Sequence, residues 1–237
     1  MLLTLLLLTP SFVSPAHAGE RLFAWTYGAG TVPKGGIELE HYLTAQTHGG
    51  PELTDWEHQV ELEYGVSNRL ELGVYAVAGQ VGGGPLAFTK YKARFRYSLA
   101  PLGVWPVDVA VYGEYVGYTG ANERKIEEKV IIGKDVGKLA LALNVTGEQK
   151  PSEGPIEIVL EPTLGVGYHF ASWFSAGAEG KYEQVIGEGP MFWAGPSAHV
   201  SGEGGRFWWT VAGMYGLTQD TRDDAIWQVR SLVAVNL

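Results

Sequence analysis

Four basic residues alternate with other side chains in the stretch Lys90-Tyr91-Lys92-Ala93-Arg94-Phe95-Arg96. Successive side chains of a β-strand point to opposite sides of its sheet, so Lys90, Lys92, Arg94 and Arg96 share one face. Four like charges in a row repel one another unless opposite charges stand beside them. Glu57, Glu61, Glu63, Arg69 and Glu71 come before this ladder, and Asp108 and Glu114 follow it. Lys125, Glu127, Lys129, Glu157, Glu161, Glu179, Lys181, Glu183 and Arg230 continue the pattern on the same parity of later segments. Such a set supports two kinds of chemistry: an interior salt-bridge network that fills the structure, or a charged path that guides a solute.

A second constellation is His199-Val200-Ser201, with Ser197 on the same face. Some outer-membrane lipid hydrolases use a His-x-Ser pair on one strand. A serine nucleophile also needs an orienting partner for its base and an oxyanion hole, and the sequence identifies neither. The triplet therefore reads as polar lining, with a lipid hydrolase as the least favoured alternative and no catalytic residue assigned. His41 and His58 fall on the opposite, apolar parity of neighbouring segments and read as interface-level polar residues, not metal ligands. Gly82-Gly83-Gly84 lacks the lysine and helix of a phosphate loop. The sequence has no cysteine, which excludes disulfides, thiolate metal sites and cysteine nucleophiles. No metal or cofactor is expected, and the net charge of -9 argues against nucleic acid as a partner.

The elements that must hold these charges are strands. In Trp56 to Tyr64, Trp56, His58, Val60, Leu62 and Tyr64 point one way, and Glu57, Gln59, Glu61 and Glu63 the other. The alternation runs for about ten residues, the length a tilted strand needs to cross a bilayer, whereas strands of a soluble sandwich are typically about half as long. It recurs near 36–46, 56–65, 69–79, 87–99, 107–118, 124–134, 138–148, 155–168, 173–184, 191–201, 206–217 and 225–237. The expected fold is all-β: a transmembrane antiparallel up-and-down barrel of about 12 strands. Closing the sheet removes the edges that lipid cannot hydrate. Outward-facing Val107, Val109, Val111 and Tyr115, or Leu139, Leu141, Leu143 and Val145, suit lipid. Aromatics near strand ends (Trp56, Tyr64, Tyr182, Phe207, Trp209, Tyr215) suit the two interfacial girdles.

Met1 to Ala18 begins with a leucine-rich run too short to span a bilayer as a helix and ends Ala16-His17-Ala18. It reads as a signal peptide cleaved before Gly19, although no Lys or Arg precedes Arg21. Residues 19–35 are assigned as a periplasmic N-terminal arm, with an extra strand and a lumen plug as alternatives, and 36–237 as the barrel. An even strand count puts both termini on the periplasmic side. The even-numbered connections, such as Val66-Ser67-Asn68 and Asp135-Val136-Gly137, are then the tight periplasmic turns. Pro101 to Pro106 is long for that side and Gly120 to Asn122 short for the other. The last strand, with Trp227, Val229, Val233 and Val235 on one face, ends in Leu237 where most bacterial barrels end in an aromatic.

Tyr64-Gly65-Val66-Ser67-Asn68-Arg69-Leu70-Glu71-Leu72-Gly73 resembles a strand–turn–strand unit of the outer-membrane family known as MetA-pathway of phenol degradation. Thr31-Val32-Pro33-Lys34-Gly35-Gly36-Ile37-Glu38-Leu39-Glu40 resembles that family's opening strand, and Ala194 to Ser197 with Phe207-Trp208-Trp209 its later hairpin. The resemblance implies a loop-light barrel passing small organic compounds and brings no catalytic residues. Together these readings predict an outer-membrane protein in contact with lipid, inserted by the barrel-assembly machinery. It is expected to act as a narrow channel for small organic or charged solutes; the alternative is a structural or surface barrel with a charge-packed, closed lumen.

Overall fold

The computed structural model describes residues 19–50, 53–120, 123–151 and 156–237; the signal peptide expected over 1–18 lies outside them. Thirteen strand segments run in chain order: β1 Ile37–Thr47, β2 Thr54–Ser67, β3 Leu70–Gln80, β4 Ala87–Ser98, β5 Asp108–Tyr118, β6 Arg124–Val136, β7 Leu139–Lys150, β8 Glu157–Leu160, β9 Thr163–Ala171, β10 Phe174–Val185, β11 Met191–Ser201, β12 Phe207–Gly216 and β13 Trp227–Asn236. Each pairs antiparallel with its neighbours, and β1 pairs with β13 from Glu38↔Asn236 to Thr47↔Trp227, which closes the sheet.

β8 and β9 both lie between β7 and β10 and fill one position in the wall, so the barrel has the expected twelve strands. The break falls at Glu161-Pro162, inside what the alternation reads as one strand, because proline has no N–H to give to the ladder. The short connections, among them 68–69, 137–138 and 172–173, gather at one end, here called the turn end. Most of the longer connections gather at the opposite, loop end, where a six-residue helix, α1 Gln219–Asp224, precedes β13; the 99–107 link at the turn end is the exception.

The expected alternation holds on the wall. Leu62, Val74, Phe95, Val130, Val145 and Leu164 are exposed on the outer face, while their strand neighbours are buried inside. Tyr215 packs against Trp227 at the loop end, the rings tilted with centroids 4.8 Å apart. Phe170 and Phe174 stack at the turn end at 5.7 Å. No described helix is long and apolar enough to cross a membrane. His41 and His58 face outward and satisfy each other, Nε2 to Nδ1 at 3.3 Å.

The assignment of residues 19–35 as a periplasmic arm is corrected by the structure. Arg21, Phe23, Ala24, Trp25, Thr26, Tyr27, Ala29, Thr31 and Val32 are all buried inside the barrel. Left in water, Phe23, Trp25, Tyr27 and Val32 would expose apolar surface worth about 1.5–3 kcal/mol per large side chain, and the lumen offers the place to bury it. The segment enters at the turn end, where Gly35 N–H donates to the Gly65 carbonyl at 2.7 Å and Gly65 N–H to the Gly36 carbonyl at 3.0 Å. Gly65 is needed there: a Cβ on it would lie 2.0 Å from the Pro33 carbonyl oxygen.

Candidate functional site

The site is the lumen, and the N-terminal segment, here called the plug, lies inside it. The plug is not a strand, so its backbone polar groups need partners from the wall. Glu179 on β10 supplies three bonds: its carboxylate accepts the N–H groups of Ala24 (2.7 Å), Trp25 (2.8 Å) and Thr26 (3.0 Å). Asn144 on β7 accepts the Tyr27 N–H at 2.7 Å and donates to its carbonyl at 2.9 Å. Glu71 on β3 accepts the Val32 N–H at 2.7 Å, and the Ser98 hydroxyl donates to the Ala29 carbonyl at 2.6 Å.

Apolar contacts complete the seat. Gly165 and Gly167 on β9 face inward side by side, and the Phe23 ring lies over both; a Cβ on Gly165 would come within 2.7 Å of it. Trp25 joins Tyr42, Tyr75, Val77, Trp193, Trp208, Met214 and Leu232 in a buried cluster filling one side of the lumen. Tyr27 packs with Tyr112 and Ile131 on the other.

The predicted lumen charges form two tiers. The turn-end tier is dry. Arg94 bonds to Glu61 at 2.6 Å and also to Glu63 and Glu71, with its side chain fully buried. Arg96 pairs with Glu71 at 2.8 Å. Tyr42 Oη donates to Glu61 at 2.8 Å and accepts from Arg21 of the plug at 2.9 Å, so the plug joins this network directly.

The loop-end tier reaches water. Lys90 and Glu57 pair at 2.7 Å with 28% and 29% of their side chains exposed. Lys92 meets Glu114 at 3.4 Å. Lys125 bridges Glu127 and Glu148, Lys129 pairs with Glu127, and Lys181 lies between Glu161 and Glu183. Arg230 donates to Thr44 and lies over the Trp25 ring, 5.0 Å from its centroid. Glu157 pairs with Lys150 at the exposed end of β8.

Two sequence-predicted residues stand apart. Arg69 does not line the lumen: it falls in the β2–β3 turn, where its guanidinium donates to the Leu99 carbonyl and lies over the Tyr97 ring. The parity argument fails there because Arg69 lies in the turn, before β3 begins at Leu70. Asp108 stands at the very start of β5, at the turn-end mouth, and accepts the Gly103 N–H. That mouth holds a cavity of about 200 Å³ lined by Glu20, Asp108, Asp135, His169, Ser175, His199 and Ser201 among others.

Among the described residues, His199 is engaged by Thr210 and Glu20. His199 Nδ1 lies 2.8 Å from Thr210 Oγ1, and its Nε2 lies 3.5 Å from Glu20 of the plug. The hydroxyl of Thr210 is also bonded to the Arg21 carbonyl. The nearer His–Ser contact is His169 Nδ1 to Ser175 Oγ, 2.8 Å, across the β9–β10 hairpin.

Sequence reasoning missed Glu38, Glu40, Asn144 and Thr210, all buried in the lumen. The signal for the first two was present in Ile37-Glu38-Leu39-Glu40, which alternates as clearly as the ladder does.

Comparison with known proteins extends the fold. The profile of a "Family of unknown function (DUF6662)" matches residues 15–100. No curated protein sequence matches the chain. In structure the chain is similar to the NanC porin, with a TM-score of 0.62 and 11% identity over 85% of this chain and 100% of that one. It is similar to the COG4313 outer membrane channel from Pseudomonas putida F1, TM-score 0.60, 11% identity, over 87% and 97% of the two chains. A third is the KdgM porin solved in complex with disordered oligogalacturonate, TM-score 0.57, 11% identity, over 85% and 97%. At this identity the likeness establishes the fold, which is that of the outer-membrane porins.

Proposed function

We propose that this chain is an outer-membrane channel for small charged solutes whose resting state is closed by its own N-terminal segment. The observation that carries the reading is that the stopper is not part of the wall. The wall closes through β1 and β13 without it, and residues 19–32 are seated by polar contacts to Glu179, Asn144, Glu71 and Ser98 beside the apolar packing of Phe23, Trp25 and Tyr27. Water can replace the polar contacts if the segment withdraws, because a flooded lumen hydrates the wall carboxylates it leaves behind. The turn end is then periplasmic, and the lipid belt and girdles set the depth of insertion.

The loop-end tier points to the class of solute. Lys90, Lys92, Lys125, Lys129, Lys181 and Arg230 offer cationic donors, each beside a polar or acidic group that fixes its position. The porin solved with oligogalacturonate shows that a barrel of this shape accepts an anionic sugar chain; we extend that class, small anionic or polyhydroxylated solutes, to this lumen. Kinship with the MetA-pathway barrels belongs to the same proposal and rests on the Tyr64–Gly73 and Thr31–Glu40 segments. Liposome swelling tests the solute class. Protein lacking residues 19–32 should admit uronate-type anions faster than neutral sugars of equal size, and equal rates would remove the charge-selective part of the reading.

A second reading has its own support: Trp25 and its buried cluster pack as a protein core does, which suits a permanently closed structural barrel. The two diverge on whether a lumen freed of its plug conducts.

A further inference from the structure

Three carboxylates in the dry tier lack the partners their burial demands. Glu38, Glu40 and Glu63 are 0%, 0% and 1% exposed, and one oxygen from each lies within 4.8 Å of the others. Among the described residues, both oxygens of Glu40, Oε1 of Glu38 and Oε2 of Glu63 have no hydrogen-bond partner, while the other Glu38 oxygen accepts from Trp208 and the other Glu63 oxygen from Arg94. The neighbouring cations are mostly engaged elsewhere, although Nε of Arg21 and of Arg96 has no partner among the described residues. Arg94 is divided among Glu61, Glu63 and Glu71. Arg96 is bound to Glu71 and stands 4.0 Å from Glu63 Oε2. Arg21 is bound to Tyr42 and the Ala24 carbonyl. A buried, uncompensated carboxylate is among the costliest arrangements in a protein, so this cluster must take up protons or a positive group.

The chain brings one there. Gly19, the first described residue, is buried against this cluster: a methyl group added to its Cα would lie 3.8 Å from Glu38 Oε1 and 3.5 Å from Val32 Cγ2. Gly19 is also the residue before which the Ala16-His17-Ala18 signal predicts cleavage. Signal peptidase hydrolysis of the Ala18–Gly19 amide consumes one water, leaves a carboxylate on Ala18 and an amine on Gly19, and that amine takes up a proton. An α-ammonium offers three N–H donors and one positive charge, against unpartnered oxygens on three carboxylates.

We propose that the Glu38–Glu40–Glu63 cluster is the binding site for the chain's own processed N-terminus, and that removal of the signal peptide supplies the counter-ion that locks the plug. Gly19 and Glu20 also line the turn-end cavity. The plug would thus seat firmly only after export. This inference rests on the cleavage position and the cluster, not on conduction, so it stands or falls separately from the channel reading.

The test uses mature protein purified from outer membranes. Its intact mass should place the N-terminus at Gly19. Treated in the folded state with an amine-acylating reagent, the Gly19 amine should react at least about tenfold more slowly than in denaturant, as expected for a buried group reached only through local opening. Protein refolded with an Nα-acetylated Gly19 should melt several degrees lower than the free-amine form, and Glu38→Gln with Glu40→Gln should shrink that difference. If the double variant does not fold, the acetylated and free-amine forms of the natural sequence still decide the question. Equal melting of those two forms, an amine as reactive folded as unfolded, or a different N-terminus overturns the proposal. So does a large stabilisation by Ca2+ that chelation reverses, which would assign the same oxygens to a hard divalent cation.

Discussion

The Glu179 carboxylate on β10 accepts the backbone N–H of Trp25 at 2.8 Å, tying the wall of the barrel to the plug inside its lumen. The same carboxylate takes the N–H groups of Ala24 and Thr26, so one side chain satisfies three consecutive donors of a stretch with no ladder of its own. Glu179→Ala leaves those three buried donors unmet, at a cost of about 1–3 kcal/mol each if the lumen stays dry. The expected result is an unseated plug in an intact wall. Protease cleavage after Arg21 in the folded variant checks it, and continued protection of Arg21 would show that the apolar contacts hold the plug by themselves.

The two charge tiers separate in their response to substitution. Arg94→Gln removes a fully buried guanidinium shared by three carboxylates and should cost on the order of 3–5 kcal/mol, read as an earlier unfolding midpoint in urea. Lys90→Gln touches a partly exposed pair with Glu57 and should change stability by less than about 1 kcal/mol, while shifting the ion selectivity of a plug-free barrel toward cations. Equal loss of stability from both would contradict the division into a dry and a wet tier.

The glycine slot predicts a coupled pair. Gly165→Ala places a methyl group against the Phe23 ring and should weaken the seat by about 1–3 kcal/mol, the usual cost of overpacking. Phe23→Leu should recover part of that loss in the double variant. Simple additivity of the two changes would mean the ring does not occupy the slot.

On the outer face, Val74 is 55% exposed in the middle of β3. Val74→Arg should cost about 2–4 kcal/mol in a lipid bilayer, the scale for a cation near the midplane. It should cost much less if that surface faced water. Folding equilibria in vesicles measure the difference.

The wall was legible in the sequence because a barrel writes a period of two into every strand. Trp56 to Tyr64 and the Lys90–Arg96 ladder each declare their two faces without reference to anything distant. The split at Pro162 was visible in the residue but not in the alternation, which continues past it. Arg69 falls in the turn before β3 begins, a boundary that parity counting cannot anticipate. The plug was hardest to place. Its partners, Glu179, Asn144 and Gly165, lie more than a hundred residues away, and its own stretch from Phe23 to Val32 has aromatic and small residues without a regular period. Inward-facing glycines at 165 and 167 were the available sign, since a strand that leaves room on its lumen face leaves it for something.

The most direct measurement of the central claim is single-channel conductance in planar bilayers for two forms of the protein: the mature chain beginning at Gly19 and the same chain beginning at Gly35. Both should show the heat-dependent gel shift of a folded barrel. The first is predicted to stay closed or to flicker briefly, and the second to conduct steadily, because only the second lacks the segment held by Glu179 and Asn144. A folded, inserted Gly35 form that conducts no more than the mature chain would contradict the gated-channel account and leave a closed structural barrel in its place.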